Sequence, residues 1–399
     1  MPITPEALAA AQHALAAAVD GSGPPVEFTA DGRVLARPEA TDPARGGSDG
    51  VVAVVRTSGS TGAPKQTLLT RDALTASATA TAARIRGEGQ WLLAVGPQYV
   101  AGLAVLSRSL QARTMPVTTG PGPFTPQRFA AAVDRLERGS GFRAVSLVPT
   151  QLARLLTPGT GAGRLAVDAL RTFDAVLVGG ARVPEAVRAA AADARIPLHL
   201  TYGMSETCGG CVYDGVPLDG VTADLTDAPT GEPTDELTGA ETPRVRLSGP
   251  VVAAGYLDDP ERTAAHFGTE GERRWYLTED TGTVEGPPGR QRLAITGRVD
   301  DVVNTGGVKV SAARVQEVLE TVPGIGAAFV GGVPDEEWGQ RVCAAVVPDG
   351  PWDQEDAAQA VRSALGTPAV PKQWRVLERL PLLVNGKPDR QALLAAFRR

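Results

Sequence analysis

Cysteine is scarce in this sequence. The three residues, Cys208, Cys211 and Cys343, are too few and too unevenly placed for a disulfide framework, which points to a reducing compartment. Histidine is equally rare, with His13, His199 and His266 as the full set. No Gly-x-Ser-x-Gly elbow accompanies them, so nucleophile–histidine hydrolysis lacks its parts. Positive charge is not in excess either. Lys and Arg total 39 against 45 Asp and Glu, a net charge of -6, which excludes the broad cationic surface that binds nucleic acid or acidic lipid. No stretch approaches the ~20 apolar residues that span a bilayer, and Met1 to Val19 lacks a basic leader ahead of an apolar core. The expectation is a soluble cytoplasmic protein with no nucleic-acid partner and no membrane span.

What is present is a chain of 399 residues, 43% of them hydrophobic, long enough to bury a large core and to form two or three structural units. Thr4 followed by Pro5 predicts a helix to about Ala18, ended by the turn Gly21 to Pro25, with a short hairpin after it. From Val51 onward, apolar runs (Val51 to Val55, Trp91 to Val95, Ala144 to Val148, Ala175 to Val178, Leu198 to Thr201) alternate with amphipathic stretches such as Asp72 to Arg86 and Pro184 to Ala194. That alternation predicts β-α units and a parallel sheet. Between Gly215 and Gly289 the texture turns to Asp, Thr, Pro and Gly with short strand-like runs such as Arg244 to Ser248, which suits a β-rich subdomain. A second α/β rhythm then forms a C-terminal unit, with helices expected at Ala312 to Thr321 and Asp353 to Leu365 and strands at Ala327 to Val333 and Val342 to Val347. The fold expected is therefore α/β: a large domain over residues 1–299 and a small α+β domain over residues 300–399.

Directly after the strand Val51 to Arg56 stands Thr57-Ser58-Gly59-Ser60-Thr61-Gly62-Ala63-Pro64-Lys65. Glycines let backbone N–H groups approach phosphate oxygens, hydroxyls add donors, and a lysine supplies a mobile point charge. It is not a Walker A loop, because Lys65 does not follow the second glycine. The competing reading is a flexible Gly/Ser turn.

This run resembles the signature loop of the adenylate-forming superfamily of acyl-CoA synthetases, adenylation domains and luciferases, and further signatures follow in order. Thr201-Tyr202-Gly203-Met204-Ser205-Glu206-Thr207 resembles the motif whose Tyr stacks near adenine and whose Glu helps bind magnesium. Val178-Gly179-Gly180-Ala181 resembles the glycine pair beside adenine and the acyl group. Trp275-Tyr276-Leu277-Thr278-Glu279-Asp280 resembles the ribose motif, which makes Asp280 the ribose ligand. Gly297-Arg298-Val299-Asp300-Asp301 and Asn304-Thr305-Gly306-Gly307-Val308-Lys309-Val310 resemble the hinge and glycine loop joining a large domain to a mobile small one, with Asp300 the hinge. Val384-Asn385-Gly386-Lys387 resembles the loop whose lysine serves adenylation.

The resemblance implies ATP, a carboxylic acid and coenzyme A as substrates and magnesium as the ion, with Thr61 and Glu206 as its ligands and Lys65, Glu206 and Lys387 as the catalytic set. Physical chemistry asks for the same kinds of group. A carboxylate is a poor electrophile, and its attack on the α-phosphate of ATP concentrates negative charge that cations and backbone donors must offset. Some positions depart from the family pattern: Gln66 and Glu279 stand where glycine is usual, and Ala312 and Arg314 where Pro and Glu are favoured. Tyr99 falls where many relatives have a histidine beside the acyl pocket. The chain ahead of the phosphate loop is also shorter than is usual in the family.

Within the superfamily, Ser146-Leu147-Val148-Pro149-Thr150-Gln151-Leu152-Ala153-Arg154-Leu155-Leu156 is similar to the segment found in o-succinylbenzoate:CoA ligases of menaquinone biosynthesis. The resemblance implies that Ser146 and Tyr99 border the acyl pocket and that Arg154 reads a second carboxylate, against the alternative of a surface arginine. Cys208-Gly209-Gly210-Cys211 lacks the second ligand pair of a zinc site. Arg273-Arg274 reads as a solvated charge pair. Two rival functions stay open: an adenylation protein loading a carrier protein, and a non-catalytic nucleotide-binding relative.

Overall fold

A helix begins where its first orphan N–H groups are satisfied and where proline can be tolerated. Thr4 meets both demands for Pro5–Asp20: its hydroxyl accepts from the Ala7 amide, Pro5 occupies the first turn, and Gly21 closes the far end at φ 83°. The computed structural model describes residues 3–57, 65–136, 141–157, 161–226, 243–287, 289–382 and 388–398. Contacts divide the chain into two units. One comprises Met1–Ala223, Leu247–Leu277 and Glu285–Arg292, the other Asp224–Arg246, Thr278–Val284 and Leu293–Arg399.

The centre of the first unit is a seven-stranded sheet in the order Val216–Pro217, Gly209–Tyr213, Leu198–Met204, Ala175–Gly179, Phe142–Leu147, Gly89–Leu93, Val117–Thr118. Its five strands from Leu198–Met204 to Val117–Thr118 run parallel, so the rhythm of apolar runs and helices predicted from the sequence is present except for Val51 to Val55, which lies in another sheet and pairs antiparallel with Lys65–Thr70. Such strands read as continuous apolar runs because both faces are covered. Leu92, Val145, Val176 and Val178 pack with Phe129, Leu152 and Leu170 from the helices Pro126–Val133, Pro149–Leu155 and Gly161–Leu170. The alternate residues Leu93, Ala144 and Leu177 are buried too, and the helix Val100–Gln111 packs on the same strands.

A second sheet of this unit runs Gly255–Tyr256, Lys65–Thr70, Val51–Thr57, Val26–Phe28, Val34–Ala36. Its last two strands are the hairpin expected after Gly21. Thr57 and Lys65, which flank the phosphate loop, face each other as a register pair. Elsewhere in the unit, Phe267–Glu270 pairs antiparallel with the start of Arg273–Glu285. The helix Pro260–His266, capped by Asp259, was not expected: seven residues carry too little periodicity to stand out.

In the second unit the antiparallel strands Ile325–Asp335 and Gly339–Pro348 bury both faces. Ala328, Val330, Val342 and Ala344 pack with Val315 and Val361 from the helices Ala312–Leu319 and Gln354–Leu365, whereas Phe329, Cys343 and Ala345 pack with Leu393 and Phe397 from Arg390–Phe397. The strands Val302–Thr305 and Val308–Ser311 form a tight hairpin around Gly306 and Gly307, at φ 60° and 78°. A two-residue turn with both residues at positive φ strongly favours glycine. Among the described residues, no helix is long and apolar enough to cross a membrane.

Candidate active site

Parallel strands bring their carboxyl ends to one edge, where ligands of open α/β sheets bind. Ser146, Gly179 with Gly180, and Tyr202 with Gly203 all lie at or near that edge, on neighbouring strands: Ser146 faces Leu177 and Gly179 faces Thr201 across the ladders. Ser146 is buried. Gly179 admits no side chain, because a Cβ there would stand 2.2 Å from Thr201 Oγ1 and 2.6 Å from its carbonyl oxygen. Gly180 follows at φ 84°, and a Cβ on Gly203 would meet the Gly209 carbonyl at 2.1 Å. The motif glycines thus permit close strand approach whatever else they do.

The strand Leu198–Met204 runs into a single 3-10 turn, Ser205–Thr207, that carries Glu206. Ser205 and Glu206 are buried, Glu206 at 5% exposure, and the Ala253 amide donates to the Glu206 carbonyl at 2.9 Å. Tyr256 Oη donates to Glu206 Oε1 at 2.7 Å and lies 3.5 Å from Tyr276 Oη. Burial, followed by the neighbouring Glu206, pushes the Tyr256 phenol well above its ordinary value, so it serves as a permanent O–H donor. Lys65 Nζ sits 5.5 Å from the centroid of the same ring, within cation–π range. A cation and a buried carboxylate, 141 positions apart by their numbers (206 − 65), are thereby gathered around one tyrosine. Tyr256 and Tyr276 were not singled out in the sequence. The one local signal is that Tyr276 sits inside the ribose-like motif.

In the second unit, Asp280 is buried at 6% exposure and pairs with Arg298 Nη1 at 2.9 Å, while its own amide donates to Thr278 Oγ1 at 2.9 Å. Asp300 falls within this unit, in the backbone turn Val299–Asp301. Ser58, Gly59, Ser60, Thr61, Gly62 and Lys387 lie outside the described residues.

On the acyl side, Tyr99 stands at the start of the helix Val100–Gln111 without a capping side-chain bond, and burial raises its phenol. Arg154 is exposed near the end of Pro149–Leu155 and donates from Nη1 to the Phe124 carbonyl at 2.8 Å. The structure corrects the expectation for Arg273-Arg274: Arg274 is half-buried and donates to the carbonyls of Ala253 at 3.0 Å and Ala254 at 2.8 Å. It braces the segment whose amide holds the Glu206 backbone, which a sequence pattern cannot show. Cys208 and Cys211 are both free and buried. Burial pushes Cys211 up to about 12 and Cys208 higher still, so neither offers a thiolate to a metal or a disulfide. No group of three or more potential ligands among His, Cys, Asp and Glu occurs in the described residues.

Comparison with known proteins places these features in a family. The AMP-binding enzyme family matches residues 4–257, and the AMP-binding enzyme C-terminal domain matches residues 314–387. The chain is 42% identical over 356 residues to a probable 2-succinylbenzoate–CoA ligase of Mycobacterium tuberculosis, covering 88% of this chain and 85% of that one. Among solved structures, ATP-bound MatB from Rhodopseudomonas palustris aligns at TM-score 0.71 and 25% identity, over 88% of this chain and 69% of that one. The o-succinylbenzoate CoA synthetase of Bacillus subtilis, in complex with its acyl-adenylate intermediate, shares the fold at TM-score 0.67 and 24% identity, over 86% and 69%. With more than half of its length matched, the chain belongs to the AMP-binding enzyme family.

Proposed function

We propose that the protein is an AMP-forming acid:CoA ligase and that its acid is o-succinylbenzoate. The observation that carries the ligase reading is the meeting of Lys65 and Glu206 at Tyr256, a cation and an anion held together in the motif order of a nucleotide-activating site. The substrate carboxylate attacks the α-phosphate of ATP, forming an acyl-phosphate bond and releasing pyrophosphate. The thiol of coenzyme A, losing its proton, then attacks the acyl carbonyl and expels AMP.

Lys65 supplies positive charge for the departing pyrophosphate, Lys387 for the α-phosphate under attack, and Asp280 with Arg298 a site for the ribose. The residues suit magnesium. Glu206 offers a hard carboxylate oxygen, and Mg²⁺ is commonly held by one or two carboxylates with phosphates and water completing its shell. When bound there, with Thr61 as a second ligand, the ion would neutralise phosphate charge. Residues 1–299 form the large domain and 300–399 a lid in this reading, with Asp300 the hinge between half-reactions.

The substrate assignment is supported by the 42% identity to the mycobacterial protein over most of both chains and by the segment Ser146 to Leu156. Arg154 uses one of its five donors on Phe124, which anchors the guanidinium and leaves donors for a second carboxylate. The test is a screen of o-succinylbenzoate, benzoate, malonate and a fatty acid with ATP, magnesium and coenzyme A. Appearance of AMP, pyrophosphate and the thioester with o-succinylbenzoate supports the proposal. Turnover only with another acid overturns the substrate, adenylate formation without thioester points to a carrier-protein acceptor, and no AMP with any acid overturns the ligase.

A further inference from the structure

Gln66 occupies a position where glycine is usual in the family, immediately after Lys65, and the structure gives it three neighbours of consequence. Its side-chain oxygen accepts from Arg37 Nη2 at 2.8 Å. Its carbonyl accepts from the Leu257 amide at 2.9 Å, one residue beyond Tyr256. Across the ladder it faces Arg56, next to the Thr57–Lys65 pair from which the phosphate loop leaves. Arg37 itself forks further: Nε bonds Glu39 at 2.6 Å, and Nη1 is ion-paired with Glu27. Glu27 is paired in turn with Arg56. Arg37 and Glu27 are 7% and 5% exposed, so the centre of this network is dry.

We propose that the Arg37 clamp, acting through Gln66, is a positioning device for Lys65 and for the paired strand ends at Thr57 and Lys65. Arg37 does not bind nucleotide itself, because it is buried and its guanidinium is engaged by Glu27, Glu39 and Gln66. The clamp also holds two arginines and two glutamates, so it adds no net charge that would compete with Lys65 for phosphate. What it sets is geometry. It ties both stems of the loop, at Arg56 and Gln66, to the hairpin of Val26–Phe28 and Val34–Ala36, which lies in the short stretch of chain ahead of the loop. A lysine whose strand cannot slip or splay presents its charge in one arrangement, and misplacement of a charged group by about 1 Å costs on the order of 100-fold where chemistry depends on it.

The inference rests on the ATP-dependent reading, which wild-type ATP–pyrophosphate exchange establishes first. A wild type without exchange rejects that reading and not the clamp. In the folded, full-length protein, Gln66→Leu removes the acceptor and leaves Arg37 its two carboxylates. Its KM for ATP and for pyrophosphate is expected to rise about tenfold, the scale of one hydrogen bond to a charged group, with the KM for the acid unchanged. Gln66→Asn keeps an uncharged amide acceptor on the same strand and should raise the nucleotide KM values less than Gln66→Leu does. Thermal melts separate positioning from folding: a variant that melts earlier but keeps all KM values makes the clamp merely structural. Equal rises in nucleotide and acid KM, or a Gln66→Asn effect as large as that of Gln66→Leu, overturn the proposal.

Discussion

Tyr256→Phe deletes one oxygen and leaves the ring that Lys65 faces, so it isolates the bond to Glu206. That bond is short and buried, and its acceptor is a carboxylate at 5% exposure. Losing a hydrogen bond to a charged group, with the acceptor left in place, costs about 1.5–3 kcal/mol, and the Phe variant should be less stable than wild type by that amount at pH 8. The pH dependence is more telling. In the unfolded chain the phenol ionises near its ordinary 10.0, whereas in the folded protein burial and Glu206 keep it protonated well above that. Above pH 10 the unfolded state therefore binds fewer protons than the folded state, and wild-type stability falls from this group alone with a slope that approaches about 1.4 kcal/mol per pH unit as the unfolded phenol becomes fully ionised. The Phe variant has no such slope. Because every other titrating group is shared, the gap between the two proteins should hold steady from pH 7 to 9 and shrink by about 1 kcal/mol between pH 10 and 11. Urea unfolding followed by tryptophan fluorescence at each pH measures it. A gap that stays constant or widens across pH 10 to 11 refutes the argument, because the phenol would then not be held neutral against Glu206.

Gly179→Ala should destabilise the first unit by about 1–3 kcal/mol, as overpacking does, because the new Cβ meets the Thr201 backbone oxygen at 2.6 Å and cannot be relieved by a rotamer change; a lowered urea midpoint reports it. Lys387→Ala should slow adenylate formation by about 100- to 1,000-fold, on the scale of losing one preorganised donor, while thioester formation from supplied acyl-adenylate persists. Equal loss of both half-reactions removes Lys387 from that role. Arg154→Ala should raise the KM for o-succinylbenzoate by roughly tenfold to a hundredfold, the worth of one charge-assisted contact, and leave the KM for ATP unchanged; an unchanged acid KM makes Arg154 a surface residue.

The parallel core was legible because its strands announce themselves: Trp91 to Val95 and Ala175 to Val178 are unbroken apolar runs, and buried strands require that of their sequence. The glycine loop at Gly306–Gly307 was legible only through the family resemblance, and the structure gives its physical reason: few residues other than glycine accept two successive positive φ values. What was not legible depends on contacts far apart in the chain. Tyr256 reaches Glu206 across 50 positions and Arg37 reaches Gln66 across 29, and neither spacing leaves a periodic trace. The helix Pro260–His266 and the strand Gln373–Val376 were missed because they are short, seven and four residues. Asp258 and Asp259 look alike in sequence, yet one pairs with Arg45 and the other caps a helix. That difference is made by the backbone, Asp258 sitting at φ 58°.

The two supports of this site share an electrical property that follows from where they stand. A group packed against a phosphate-handling lysine must hold position without adding a field of its own, since at short range in a partly dry site any net charge acts strongly. Tyr256 satisfies this by staying protonated: it donates to Glu206, offers its ring face to Lys65, and carries no charge while doing both. The clamp behind Lys65 satisfies it by balance, with Arg37 and Arg56 matched against Glu27 and Glu39. Among the residues of these two supports and the pair they hold, the charges left to act on a nucleotide are then those of Lys65 and Glu206. That is why the Gln66 position tolerates a polar residue in place of the usual glycine: an uncharged amide can accept from Arg37 and lock the strand without altering the balance that Lys65 depends on.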